Sequence, residues 1–364
     1  MDSEYKLVCN HFYLVRLKKL IQALSNILLK INYKLEEFKT NLMVKHTIFF
    51  ILVITIISCH NPKPQPKAMV IVHGGAGYVS TDLMLPGEED GIRDAIEKSL
   101  QKSHQHLANG GTSVEAVRIA INILEDSPYF NAGKGSVFTS SGTNELDASI
   151  MNGQNRQAGA VAGLTNVKNP IDAAIAVMDH SPHVFLIGEG AEEFAVAHGM
   201  DTVPQSYFFN EYRYLEHLEG LNENKTKFGT VGAVAIDHNG NIAAGTSTGG
   251  MNNKRFGRVG DVPVIGAGTY AENGIGGLSA TGHGEYFIRN VATYDIAAQV
   301  KYGNKTLDEA GFNTLMKKLK SQGGDGGVIG LDSQGGVVIH FNTVAMPRGY
   351  INSKGETVVL IDVD

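Results

Sequence analysis

The chain has 364 residues, 43% hydrophobic and 19% charged, with a formal charge of −6, no tryptophan and two cysteines. That is material for one large domain or two modest ones. The acidic balance and the lack of a basic stripe exclude nucleic acid as a partner. With the cysteines at 9 and 59, the rest of the chain has no disulfide, cysteine nucleophile or cysteine-based metal site.

The front of the chain differs in character from the remainder. Residues 1–58 hold eight Lys/Arg against four Asp/Glu, a net +4, whereas residues 59–364 carry a net −10. Met43-Val44-Lys45-His46 precedes an apolar run over 47–58 and then Cys59. A short cationic start and about a dozen apolar residues match a secretory signal, too short to span a bilayer comfortably. Ile56-Ile57-Ser58-Cys59 resembles a bacterial lipobox, in which the cysteine is lipidated and becomes the mature N-terminus. An uncleaved anchor helix and a buried strand are the alternatives. Residues 1–58 are therefore read as a leader with Met43 as a candidate true start, and the Pro-rich residues 59–67 as a tether. The expectation is an exported lipoprotein facing the periplasm or cell exterior, held to the membrane only by lipid on Cys59.

The folded part opens on Met69-Val70-Ile71-Val72-His73, a short buried strand that breaks into the glycine turn 74–77. A helix is expected over about 90–107, with Ile92, Ala95, Ile96 and Leu100 on one face. The next starts at the capping-box pattern Thr112-Ser113-Val114-Glu115 and runs to Leu124. Asn169-Pro170 opens a third, and a fourth ends at Gly199. Residues 205–229, aromatic, charged and aperiodic, read as a flexible linker. Apolar segments 230–237 and 241–247 then flank Asn239-Gly240, a hairpin signal because both residues tolerate positive φ. A second hairpin is expected over 327–342 around Ser333–Gly336, with helices at about 284–301 and after Thr306-Leu307-Asp308-Glu309 in between. Helices then strands, strands then helices, with hairpin turns, predict face-to-face antiparallel sheets with helices outside.

One glycine–threonine step stands out chemically. If the Gly229–Thr230 bond is cut, Thr230 carries a hydroxyl nucleophile and a free α-amine, whose pKa near 7.7–8.0 lets it take the hydroxyl proton itself. A threonine in a strand is ordinarily structural; its neighbourhood singles this one out. Thr246-Ser247-Thr248-Gly249-Gly250 ends the partner strand and returns hydroxyls towards it. Arg258-Val259-Gly260-Asp261 reads as a solvated surface pair or as a clamp for a zwitterionic amino acid. Thr281-Gly282-His283-Gly284-Glu285 leads into a helix whose first amides favour an anion. His73 at a strand end is more often structural than catalytic. The histidines lack zinc-site spacing, and the glycine runs match neither GxGxxG nor a P-loop.

Taken in order, Val72–Gly77, Phe130-Asn131-Ala132-Gly133, Gly229-Thr230-Val231-Gly232, Thr246–Gly250, Gly257–Asp261 and Thr281–Glu285 resemble the plant-type asparaginase/isoaspartyl peptidase family of N-terminal nucleophile hydrolases, over roughly 68–364. The resemblance implies an α+β fold, a four-layer αββα sandwich, and self-cleavage of a precursor into an α subunit, 68–229, and a β subunit, 230–364. It implies Thr230 as nucleophile with Thr248 bonded to it, and an oxyanion hole of Thr281 and Gly282 with Asn131 close by. Arg258 and Gly284 would hold the substrate α-carboxylate, Asp261 and Gly282 its α-amine. No cofactor is implied for catalysis, but a structural sodium is, on backbone carbonyls of Leu124, Glu125, Ser127, Phe130, Ala132 and Lys134. Subunits would pair as (αβ)2. The substrates implied are β-aspartyl peptides and L-asparagine. Glycosylasparaginases share the fold, but there the nucleophile typically follows Asp and the later motif reads Thr-Ser-Thr-Asn-Gly. Gly229 and Gly249 depart from that pattern and favour the isoaspartyl branch. A lipid-anchored amino-acid-binding protein that never matures is the non-enzymatic alternative.

Overall fold

The structure, a computed structural model, describes residues 19–28, 68–77, 84, 86–220 and 229–362. The chain divides into two compact units, Met1–Pro64 and Gln65–Asp364. In the first, residues 19–28 are helical. The apolar run 47–58, Cys59 and the tether lie outside the described residues.

The second unit is built on two sheets. The larger runs in the order β12 (Thr357–Asp362), β11 (Ala345–Ile351), β1 (Met69–His73), β5 (Val231–Ile236), β6 (Ile242–Thr248), β2 (Leu146–Asn152), β3 (Ala158–Leu164) and β4 (Phe185–Ile187). The smaller runs β10 (Val337–Phe341), β9 (Gly326–Asp332), β8 (Gly276–Gly282) and β7 (Thr269–Glu272). Apart from the parallel β3–β4 contact, neighbouring strands pair antiparallel, as the hairpin turns predict. Helices α1 (Glu88–Ala108), α2 (Ser113–Glu125) and α3 (Pro170–His180) cover the larger sheet, with α4 (Gly188–Ala197) against β3. Beyond α5 (Glu211–Leu218) and α6 (Gly284–Asn290), helices α7 (Ala292–Gly303) and α8 (Leu307–Phe312), the latter continuing as a π-helix over Asn313–Leu319, cover the smaller sheet.

Three buried apolar seams hold these layers. Ile92, Ile96, Val117 and Ile121 pack onto the larger sheet; Ile71, Val234, Ile242 and Ile329 lie between the sheets; Leu278, Phe287, Ile296 and Leu315 lie beneath the second helix layer. The result is the four-layer αββα arrangement of an α+β N-terminal nucleophile hydrolase, each layer burying one apolar face against the next.

Local chemistry accounts for the element ends, with four departures from the sequence expectations. At α2, Thr112 accepts from the Glu115 N–H, but the Glu115 carboxylate turns to Arg118, so only half of the capping box forms. The box at Thr306 and Glu309 is complete. In the first hairpin Gly240 alone takes a positive φ, 78°. Asp237 Oδ1 accepts from the N–H groups of Asn239 and Asn241 and closes the loop as an Asx turn. The helix expected over 284–301 is broken at Val291, which sits at φ 46° and separates α6 from α7. The linker reading of 205–229 also gives way: Gln205–Tyr207 forms a 3-10 turn and α5 follows, its start capped by Asn210 accepting from Arg213 N–H. A buried Arg213–Glu216 ion pair at 3.0 Å lies within α5, and Asn252 and Asn253 tie the helix down by donating to the carbonyls of Glu216 and His217. Residues 221–228 lie outside the described residues.

Candidate active site

The register of the first hairpin sets the centre of the site. Val231 pairs with Ser247, so Thr230 stands across from Thr248, and its hydroxyl donates to Thr248 Oγ1 at 3.1 Å. The two-residue period of β6 turns Thr246 and Thr248 towards the smaller sheet and Ser247 towards the helices. There Ser247 donates to the buried Glu125 at 2.6 Å. Gly250 N–H also donates to Thr248 Oγ1, at 3.1 Å.

The glycine turn after β1 lies against Gly229. Gly75 adopts φ 100°, and a Cβ there would collide with the Gly229 backbone, so only glycine permits this approach. The next residue, Ala76, donates its N–H to Thr281 Oγ1 at 3.1 Å. His73 anchors the turn: its Nδ1 accepts from Gly75 N–H at 3.2 Å, and its Nε2 lies 3.0 Å from Ser279 Oγ. Complete burial pushes its pKa down to about 3, so the ring is a neutral fixture rather than a titrating base.

Asn131 bridges the opposite side. Its Nδ2 donates to Gly250 O at 2.7 Å, its Oδ1 accepts from Val137 N–H at 3.0 Å, and its carbonyl accepts from Gly249 N–H at 3.0 Å. The side chain thus braces the turn that carries Thr248. A Cβ on Gly249 would lie 2.5 Å from Asn131 Oδ1 and 2.7 Å from Ser136 Cβ, which leaves no room for a side chain at 249.

The charged pair separates in an unexpected way. Arg258 bonds not to Asp261 but to Glu285, with Nε–Oε1 at 2.9 Å and Nη2–Oε2 at 2.8 Å. Asp261 is buried, and its Oδ2 has no hydrogen-bond partner among the described residues. Burial raises its pKa to about 7 against the lowering influence of Arg258. A cavity of about 140 Å³ brings together Asn131, Gly229, Thr230, Thr248, Arg258, Asp261, Thr281 and Gly282. Gly284 lies behind it, where a Cβ would meet Asp261 Oδ1 at 2.7 Å and Arg258 Nη2 at 3.0 Å. Val137, Met251, Asn252, His283, Asp325 and Thr343 line the same cavity, although no sequence argument assigns them a role. His283 lies within a motif that the sequence does single out, whereas Asp325 and Thr343 sit in loops before β9 and β11 that carry no signal.

Among the described residues no cluster of His, Cys, Asp or Glu is placed to hold a metal. The 124–134 segment offers backbone oxygens instead. Gly133, at φ 50°, and Gly135 admit the carbonyls of Glu125 and Phe130 where any Cβ would collide. Carbonyl oxygens are hard ligands, the chemistry that a cation such as the implied sodium would take.

A family model described as Asparaginase matches residues 66–361. The chain belongs to the plant-type asparaginase/isoaspartyl peptidase family. Like that family it is a hydrolase, which sets aside the reading as a binding protein that never matures. The isoaspartyl peptidase of Escherichia coli strain K12 is 44% identical over 316 residues, covering 80% of this chain and 98% of the relative. The isoaspartyl peptidase/L-asparaginase of Bos taurus is 42% identical over 289 residues, covering 77% and 91%. That of Xenopus laevis is 39% identical over 288 residues, with the same coverage of 77% and 91%.

Proposed function

We propose that this asparaginase-family chain is an isoaspartyl peptidase/L-asparaginase that cuts itself before Thr230 and then uses that residue as its nucleophile. The observation that carries the reading is the Thr230–Thr248 hydroxyl pair beside Gly229, opening onto a cavity that also holds Arg258 and Asp261. In the precursor, Thr230 Oγ1 attacks the Gly229 carbonyl carbon, the peptide C–N bond breaks, and the resulting ester is hydrolysed by water. The products are a Gly229 carboxylate and a free Thr230 α-amine. In turnover the amine accepts the hydroxyl proton while Oγ1 attacks the side-chain carbonyl of the substrate. Thr281 Oγ1 and the Gly282 N–H stabilise the oxyanion, each such donor being worth on the order of 3–4 kcal/mol. Ammonia or an amino acid leaves with the proton, and water releases L-aspartate from Thr230. Arg258 and the Gly284 N–H receive the α-carboxylate; Asp261 Oδ2 and the Gly282 carbonyl receive the α-ammonium. The carbonyls of Leu124, Glu125, Ser127, Phe130, Ala132 and Lys134 would hold a structural sodium that stiffens the loop bearing Asn131. Pairing as (αβ)2 and export with lipidation at Cys59 belong to the same proposal.

The glycosylasparaginase alternative is disfavoured at one residue. Its motif places Asn where Gly249 stands, and that position is closed by Asn131 and Ser136. The test of the main reading is Thr230→Ala, followed by intact-mass measurement and assays with a β-aspartyl dipeptide, L-asparagine and glycosylasparagine. The expected result is one uncut chain with activity down on the order of 10⁴-fold or more. A Thr230→Ala protein that is cleaved and active would sink the assignment.

A further inference from the structure

The two charges that the proposed site presents to a substrate are three residues apart in one loop, and they leave each other alone. Both hydrogen bonds that the Arg258 guanidinium makes within the described residues go to Glu285, side-on and two-pronged. Asp261 meanwhile stays buried with Oδ2 unpaired among the described residues. Even so, the two groups are near neighbours. Asp261 Oδ1 and Arg258 Nη2 approach the same point on Gly284, within 2.7 and 3.0 Å of where its Cβ would lie. Asp261 also feels the charge of Arg258 directly. A guanidinium attracts any carboxylate this near, and here Glu285 is the one that holds it.

We propose that Glu285 is a positioning residue for substrate binding: it holds Arg258 off Asp261, so that the two charges meant for a zwitterionic α-amino acid do not neutralise each other in the empty site. This rests on the Arg258/Asp261 clamp proposed above and adds the group that keeps the clamp open. Glu285 is suited to the task in two ways. Its side chain is 45% exposed, so pairing with Arg258 there costs less desolvation than a pair buried at Asp261. It is also the second residue of α6, so the helix backbone fixes where the fork is aimed. The guanidinium face turned away from Glu285 remains for the substrate carboxylate, and Asp261 Oδ2 for the ammonium. Other charges bear on the pair. Asp147 faces both Arg258 and Asp261, Lys254 faces Asp147, and His283 Nε2 lies 3.3 Å from Glu285 Oε2.

The experiment compares Glu285→Gln and Glu285→Asp with the parent enzyme, alongside Arg258→Ala and Asp261→Asn, all processed. Steady-state kinetics with L-asparagine and a β-aspartyl dipeptide are taken from pH 6 to 9, and self-cleavage of each precursor is timed. Glu285→Gln should raise KM about tenfold or more, with kcat within about twofold. Its acid limb of kcat/KM should move to lower pH, because Asp261 gains Arg258 as a partner; Glu285→Asp should restore much of the parent behaviour. Self-cleavage should keep its rate, since the scissile peptide carries neither a free ammonium nor a free carboxylate. An unchanged KM and pH profile in Glu285→Gln, with KM raised by Arg258→Ala and Asp261→Asn, overturns the inference alone. Slowed self-cleavage together with a lowered kcat also overturns it, as Glu285 would then be a structural support. If Arg258→Ala and Asp261→Asn leave KM unchanged as well, the clamp itself falls.

Discussion

A carboxyl held at full burial with one oxygen unpaired is a poor choice for stability, and Asp261 is such a group. Its pKa of about 7 in the folded chain stands well above the ordinary value near 3.9. Between those values the native chain binds a proton that the unfolded chain has lost. The contribution to stability is therefore full below about pH 4, falls as pH rises, and is gone above about 7. Binding has the opposite sign, because only the carboxylate attracts an ammonium. We expect kcat/KM to rise with pH through about 7, and the Thr230 amine, titrating near 7.7–8.0, to add a second rise. Asp261→Asn should abolish the first rise, lower kcat/KM about a hundredfold and raise Tm at pH 8. A pH-rate profile and a melting curve on the same variant check both. At this scale the sequence is informative where residues sit in a motif, as Thr230, Thr248, Arg258, Asp261 and Thr281 do. The service of Glu285 to Arg258 is invisible there, because it depends on α6 folding back over the 258–261 loop across 27 positions.

Elements are legible when their own turn chemistry announces them and illegible when packing overrides it. The β5–β6 and β9–β10 hairpins carry glycine turns between apolar runs. The β7–β8 hairpin also has a turn pair, Asn273-Gly274, but β8 opens on Gly276-Gly277, which weakens the strand signal. The reason lies across the sheet interface: a Cβ on Gly277 would come within 2.6 Å of both Ile242 Cγ2 and Val234 Cγ1. Gly277→Ala should therefore cost about 1–3 kcal/mol through overpacking, read as a lower denaturation midpoint with an unchanged slope. Helix α5 is hard to read from sequence because it is only eight residues long and the side chains it buries are the charged Arg213 and Glu216 rather than apolar ones. Val291 breaks a helix that looks continuous in the sequence, since nothing local marks a β-branched residue for a left-handed φ.

For the molecule as a whole, the catalytic unit Gln65–Asp364 is compact by itself. A chain beginning at Gln65 should fold, cleave itself and keep kcat/KM within about twofold of the full chain, because that unit has its own hydrophobic core. Cys59→Ser should leave activity intact while moving the protein from the membrane fraction to the soluble one, checked by fractionation of the cells that make it. The larger sheet adds a consequence of a different kind. Strand β1, from before the proposed cut, lies between β11 and β5, both from after it, and β6 pairs with β2 across the same divide. Two chains laced strand by strand cannot part without unfolding. Once they do part, refolding is a meeting of two molecules whose rate falls with dilution, where the precursor needed only itself. Heated and cooled, the precursor should recover at any concentration, and the mature enzyme should recover poorly when dilute. Its lifetime is then set by how slowly it unfolds rather than by how stable it is.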